Sequence, residues 1–415
     1  MIMFKNIYPR DWTTEKMSII FDFSGGFSAT RKDLGEKGIA YLHYGDIHTS
    51  KETILNVEKN IYKIPKIELY PETKYSKFLL NHSDIVFVDA SEDYDGVSKF
   101  IVIDNDKNIP LISGLHTIIA KDKDKILDIN FKRYVFQEYQ VKKQFMFYAA
   151  GQKVKGINKE NIKKIVLPVP PLDEQKKIAN ILSTWDRAIE LNEEQLRTEK
   201  TMLLQTINTL TKGNSYLQSS YTKIPLDKCS NFINGYAFQS SKYNDLGIYK
   251  IITIGNVQDG KLDLNSRTKK VIDIPSNINK NQILSRNDIL VSMTGNVGRV
   301  CKIEHDNLLL NQRVGKLEPN KSIDRFYFYY ALRSSRFLYK MIAKAQGGAQ
   351  PNLSTKDIKK YYIEVPDLTT QKLIGKYLLF LDTKIELLTK KIHYLRKQKQ
   401  GLMQQLLTGK IRVQL

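Results

Sequence analysis

The residues best equipped for chemistry in this 415-residue chain are polar side chains set in glycine-containing turns. Arg31 and Lys32, then Ser91 and Lys99, occupy such turns in the first half. Thr294, Asn296, Arg299, Gln312, Arg313, Gln350 and Asn352 occupy them in the second. Arginine can take two acceptors on a guanine edge, and asparagine or glutamine can pair with both groups on an adenine edge. Gly295, Gly298, Gly347 and Gly348 would let backbone approach a duplex closely. That chemistry is recognition of bases, not the making or breaking of bonds. Taken singly, each of these residues also reads as an ordinary surface turn.

Motifs for covalent chemistry are missing from the sequence. There is no G-x-G-x-x-G opening a helix after a strand, no phosphate-binding G-x-x-x-x-G-K-[ST] and no G-x-S-x-G elbow. The Asn-Pro-Pro-aromatic loop of amino-methyltransferases is absent too. Asp173-Glu174-Gln175-Lys176 and Glu72-Thr73-Lys74 have nuclease-like E-x-K spacing, but neither follows a Pro-Asp on a paired strand. The first falls at a helix start, where acidic residues complement the helix dipole. His43, His48, His82, His116, His305 and His393 show no i,i+3 or i,i+4 pairing of metal ligands. Of these, His116 reads as a satisfied strand or loop residue. Neither a catalytic residue, a metal site nor a cofactor bound by this chain is expected.

The charge leans toward one class of partner without deciding it, since a basic, AT-biased proteome would leave a similar excess. Sixty-five Lys and Arg against 44 Asp and Glu leave a formal charge of +21. Such an excess favours a polyanion, because each neutralised phosphate releases counterions. The two cysteines, Cys229 and Cys301, supply neither a disulfide framework nor a zinc site. With no apolar run of signal-peptide or membrane-span length, the expectation is a cytoplasmic protein with free thiols and no membrane partner.

The elements that must carry these turns are duplicated. Ile157–Lys164 lies over Leu353–Lys360 at a shift of 196 residues, and at that shift Pro170 meets Pro366, Gln175 meets Gln371 and Asp186 meets Asp382. A period this long marks a repeated domain with its helix and not a solenoid. Strand-like runs at Ile39–Leu42, Ile85–Val88 and Lys99–Ile103 are echoed by Tyr249–Ile254, Ile289–Ser292 and Arg299–Ile303. The shift drifts from 210 down to 196, so the second globular part has lost residues, and the globular parts have diverged more than the helices. The expected fold is α+β: two mixed α/β domains in tandem, each followed by a long helix. The segments are 1–155, 156–215, 216–350 and 351–415.

Both helices follow a proline-led extended stretch, with Asp173 and Thr369 as candidate N-caps and Gly213 and Gly409 as terminators. Leu182, Ile189, Leu196 and Leu203 recur every seven residues in the first helix. In the second, Leu378, Ile385 and Ile392 hold one seam, with Lys399 interrupting it, while Leu381, Leu388, Leu395 and Leu402 hold the other. Sustained a/d heptads predict a coiled coil. At 1.5 Å per residue each helix would be roughly 50 Å long. Asn192, Glu199 and Thr206 fall on the first helix's seam, either as defects or as register keys. Antiparallel pairing within the chain is favoured by the tether; it would set the domains at opposite ends of a rod about a pseudo-two-fold axis. A pseudo-dimer of this charge suits duplex DNA. The lysine-rich face from Lys384 to Lys399 reads as the solvated side of the coil, with phosphate contact as the alternative.

As a whole the chain resembles the DNA-specificity (S) subunit of type I restriction-modification systems. The resemblance rests on Pro170-Pro171-Leu172-Asp173-Glu174-Gln175-Lys176-Lys177-Ile178-Ala179, its weaker repeat Pro366–Ile374, and the C-terminal string Gly401–Lys410. Ser113-Gly114-Leu115-His116 and Asn311-Gln312-Arg313-Val314 resemble stretches of that family's target-recognition domains. The resemblance implies two target-recognition domains, each binding half of a split DNA site, with the paired helices acting as a ruler between them. It further implies two methyltransferase (M) subunits carrying S-adenosylmethionine, and two restriction (R) subunits using ATP and Mg. This chain would then be a non-catalytic member of the complex. Thr369-Thr370 replaces the acidic pair Asp173-Glu174, so the two docking surfaces for M need not be equivalent. The competing reading is a coiled-coil scaffold that binds nucleic acid without sequence preference.

Overall fold

The computed structural model describes residues 7–69, 71, 75–92, 94–151, 154–213, 220–345 and 351–414. They fall into two compact units, Met1–Leu191 with Ile392–Leu415, and Asn192–Lys391. This division cuts across the four serial segments, since each long helix gives one half to each unit.

In unit 1, five strands lie side by side in the order Phe21–Gly25, Thr117–Asp122, Ile85–Val88, Phe100–Asp104 and Ile54–Asn56. Ile85–Val88 is buried along its whole length, which is why it reads as an unbroken apolar run and not as an alternating one. A second sheet orders Lys66–Ile67, Ile39–Leu42 and Leu111–Ser113, the last two running parallel. Unit 2 repeats the plan. Ser230–Asn234, Val314–Pro319, Ile289–Ser292 and Val300–Lys302 form one sheet. Lys270–Val271, Tyr249–Ile252, Leu308–Leu310 and Ile283–Leu284 form the other, again with a parallel pair, Tyr249–Ile252 beside Leu308–Leu310. Ile54–Asn56 of unit 1 makes its sheet five-stranded, against four strands in the corresponding sheet of unit 2.

The long helices span Leu172–Leu210 and Leu368–Leu407. Their 39 and 40 residues correspond to about 60 Å each, longer than the heptads alone suggested. Asp173 and Thr369 lie inside the first turn and do not cap it. The second helix is capped instead by Asp367, whose Oδ1 accepts the Thr370 N–H at 3.0 Å. Gly409 has a left-handed φ of +66°, as a terminator should. Gly213 does not; its N–H donates to the Glu364 carboxylate at 2.6 Å.

Within each unit the two helices run antiparallel. In unit 1, Glu174 accepts from Arg412 at 2.8 Å, Asp186 accepts from Lys399, and Ile178 and Leu182 share a core with Met403, Leu406 and Leu407. In unit 2, Glu199 accepts from Lys384 at 2.5 Å, and Leu203 and Ile207 share a core with Leu378, Leu381 and Ile385. Of the expected seam, Leu182, Ile189, Leu203, Leu378, Leu381, Ile385, Leu388 and Ile392 are buried. Leu196, Leu395 and Leu402 are half-buried. The polar intrusions Glu199 and Lys399 each meet an opposite charge.

Each domain is fastened to its helix by a buried glutamine. Gln175 donates from Nε2 to the carbonyls of Pro170 (2.9 Å) and Ile126 (3.0 Å) and accepts the Asp128 N–H at 2.8 Å. Gln371 does the same with Pro366 (2.9 Å), Ser322 (3.4 Å) and Asp324 (2.8 Å). Replacing Gln371 by Leu strands those backbone groups in an apolar setting. The cost is about 1–3 kcal/mol, read as a lower midpoint in thermal unfolding. Leu387→Ala, at an exposed position on the same helix, should change stability by less than ~0.5 kcal/mol. Burial also pushes the thiols up, Cys301 to about 12 and Cys229 to about 11. Both therefore stay protonated at pH 8. A thiol-titrating disulfide reagent should find neither in the native protein and both after denaturation.

Candidate nucleic-acid interface

In unit 2, several loops converge on one edge. Tyr236 bridges to Asn311 beside the turn that carries Gln312 and Arg313. The backbone N–H of Met293 donates to the Arg313 carbonyl at 3.0 Å, and that of Leu353 to the Met293 carbonyl at 2.7 Å. Thr294 pairs with Asn352 through a backbone bridge and a 3.0 Å hydrogen bond from Oγ1 to Oδ1. Four residues expected from the sequence, Thr294, Gln312, Arg313 and Asn352, thus share one edge. Gln312, Arg313 and Asn352 are exposed there, whereas Thr294 is nearly buried and holds Asn352 in place. Neither Gln312 nor Arg313 has a side-chain partner among the described residues, so both are free to meet a ligand.

The other two described residues of that group differ. Asn296 is exposed, on a turn whose Gly295 and Gly298 have φ of +70° and +77°. A Cβ on Gly298 would approach that of Met341 to 2.8 Å, so the turn is built around glycine. Arg299 is half-buried and its guanidinium is engaged by Gln258. Gln350, with Gly347 and Gly348, lies outside the described residues, as does Glu72-Thr73-Lys74.

In unit 1, Arg31 and Lys32 are exposed on a single 3-10 turn, Arg31–Asp33. The Asp33 carboxylate accepts from the Thr30 N–H (2.7 Å) and hydroxyl (2.8 Å), fixing that turn. An open cleft of about 710 Å³ beside it is lined by Asp33, Glu36, Lys37, Lys66 and Glu68 among others, a mixed-charge surface. Ser91, on the short strand Ala90–Ser91, is buried by its pairing with Lys155–Gly156. The ammonium of Lys99 donates to the His48 carbonyl. Strand pairing and an internal acceptor thus turn these two inward.

Sequence reasoning missed what stands beside Arg31. His43, Tyr44, His48 and His116 cluster there, with ring separations from Tyr44 of 4.4, 6.1 and 5.5 Å respectively for the three histidines. His116 is a half-exposed loop residue on a turn with φ of +59°. Its Nδ1 lies 3.5 Å from Asp89. Burial lowers the His43 pKa, with Asp46 opposing and Arg31 and His116 reinforcing. The signal that could have found this group is the alignment of Gly114-Leu115-His116 with Asn311-Gln312-Arg313 at a shift of 197.

Groups that imitate catalysis have structural partners. Glu174, of the E-x-K look-alike, is buried and accepts from the Trp12 indole at 2.9 Å as well as from Arg412. His82, Asp104 and Asp106 gather within 4.8 Å, but the imidazole Nδ1 sits 2.8 Å from Asp106 in the geometry of an ion pair, and Asp104 also accepts from Asn56 at 2.7 Å. Among the described residues no helix is long and apolar enough to cross a membrane.

Comparison with known proteins bears on the same features. The type I restriction modification DNA specificity domain matches twice, over residues 9–199 and 219–397. The chain is 28% identical to the type I restriction enzyme MjaVIII specificity subunit of Methanocaldococcus jannaschii, covering 81% of each chain. It is 23% identical to the type I restriction enzyme EcoBI specificity subunit of Escherichia coli, over 83% of this chain and 81% of that one. The crystal structure of a type I restriction-modification S subunit from M. genitalium superposes with a TM-score of 0.55 at 17% identity, covering 98% of both chains. With two copies of the family's domain accounting for most of its length, the chain belongs to the type I restriction-modification DNA specificity family.

Proposed function

We propose that each unit reads one half of a two-part DNA site and that the chain directs methyltransferase and restriction subunits to it in the cytoplasm. The observation that carries this reading is the repeated domain, each copy presenting turns of base-reading residue types on a sheet fastened to a paired helix. Recognition by one small domain is limited to a few base pairs, and two domains on one chain multiply the discrimination. In this reading S-adenosylmethionine, ATP and Mg belong to the partners, two M and two R subunits.

The second long helix carries the surface for such a partner. Leu373, Tyr377, Phe380, Leu387 and Tyr394 are all 48–69% exposed. Four of them recur every seven residues, the spacing that accepts another helix. Lys376, Lys390 and Lys397 flank them, which suits an acidic amphipathic helix of the methyltransferase. At the 196-residue shift the first helix offers Lys177, Ile181, Thr184, Leu191 and Thr198, a more polar face. The two methyltransferase copies accordingly dock with unequal strength.

With the methyltransferase present, duplex carrying the two-part site should outcompete scrambled duplex by at least about a hundredfold. Equal competition, lost evenly with salt, would instead support the non-specific scaffold. Phe380→Asp should weaken methyltransferase capture by roughly tenfold or more in a pull-down titration, while Thr184→Asp has a smaller effect.

A further inference from the structure

The turn Leu115–His116 of unit 1 occupies the place that Gln312–Arg313 holds in unit 2. In both units the turn joins a strand of one sheet to a strand of the other: Leu111–Ser113 to Thr117–Asp122, and Leu308–Leu310 to Val314–Pro319. In both it is clasped by the loop that follows the strand Phe21–Gly25 in unit 1 and Ser230–Asn234 in unit 2. Phe27 bridges to Gly114 and donates its N–H to the Ser113 carbonyl at 2.7 Å. Tyr236 bridges to Asn311 and donates to Leu310 at 2.8 Å. A glycine permits each clasp, since a Cβ on Gly26 would stand 1.8 Å from the Gly114 oxygen, and one on Gly235 2.0 Å from the Asn311 oxygen.

The unit 1 turn is rigidly aimed. The buried Tyr41 hydroxyl accepts the Leu115 N–H at 3.0 Å and donates to the Phe27 carbonyl at 2.9 Å. The Thr117 hydroxyl donates to the Gly114 carbonyl at 2.5 Å. What this scaffold presents to solvent is an apolar side chain, 39% exposed, and an imidazole, 53% exposed. Asp89, Tyr44 and His43 stand around that imidazole, with Arg31 and Asp46 beside His43. A leucine at a tip can contact a thymine methyl, and an imidazole edge can hydrogen-bond a purine acceptor.

We propose that Leu115 and His116 are specificity-determining residues of unit 1, equivalent in position to Gln312 and Arg313 of unit 2 and reading different bases. This rests on the two-part DNA-reading function proposed above. The test is base preference at every position of the site, measured for the full chain assembled with its methyltransferase and offered randomised duplexes. Leu115→Ala and His116→Asn are the variants, asparagine being chosen because it tolerates the left-handed φ. Each should lower discrimination roughly tenfold at one or two adjacent base pairs of one half-site, leaving the other half-site and the melting temperature unchanged. Arg313→Ala should do the converse. If both unit 1 variants keep the wild-type preference at every position while Arg313→Ala does not, the assignment of the turn fails and the two-part reading stands. If the unaltered assembly shows no preferred duplex at all, the two-part reading fails and takes this inference with it.

Discussion

Burying an amide side chain is tolerable only when its donors and acceptor are met, and Gln175 and Gln371 meet theirs on backbone. Each binds the carbonyl at the proline turn before its long helix, and each accepts the N–H of an aspartate that caps a helix of the adjoining domain. Asp128 and Asp324 in turn spend one carboxylate oxygen on the first turn of helices Ile129–Val135 and Arg325–Leu332. The orientation of each domain on its helix is therefore set by hydrogen bonds that cannot be traded for water. Whatever an exposed turn reads, it reads from a platform held this way.

The pairing of the helices shows how a duplicated design tolerates divergence. Tyr134 donates to Asp186 at 2.7 Å in unit 1, and Tyr330 donates to Asp382 at 3.1 Å in unit 2, again 196 residues apart. The positive charge that completes each group has a different origin. In unit 1 it is Lys399, arriving from the second long helix and lying 5.3 Å over the Tyr134 ring. In unit 2 it is Arg333, from the domain's own helix end, 2.8 Å from Asp382. The residues at the exchanged positions are Gln137 and Leu203, so each aspartate takes its counter-charge from only one of the two positions. A half-buried aspartate needs a counter-charge, and the chain has two ways to supply it. This explains Lys399 as a partner of Asp186 and not as a flaw in the heptad.

The same logic separates the candidate residues into those that read outward and those that brace. Gln312, Arg313 and Asn352 stand on an edge assembled from loops far apart in sequence, while Thr294 supports Asn352 from beneath. Ser91 and Lys99 have suitable chemistry but are committed to strand pairing and to an internal carbonyl. His116 lies within an apolar stretch and read as a strand or loop residue; the structure sets it on a turn with a left-handed backbone. A residue type tells what a side chain can bind, and its neighbours in space tell whether it is available.

The sequence by itself determined the duplication, the two long helices, their apolar seam, the polar positions on it and the resemblance that names the family. These are legible because heptad spacing and a constant shift are local or periodic, and the helix translates them directly into a face. The cap of the second helix was misread by two residues, since Thr369 and Asp367 are equally good capping types and only backbone geometry chooses. Tertiary structure alone decided that Ile39–Leu42 runs parallel to Leu111–Ser113 and Tyr249–Ile252 to Leu308–Leu310. Strand pairing joins segments about 60 to 70 residues apart through backbone hydrogen bonds that carry no side-chain identity, so no pattern in the residues announces it.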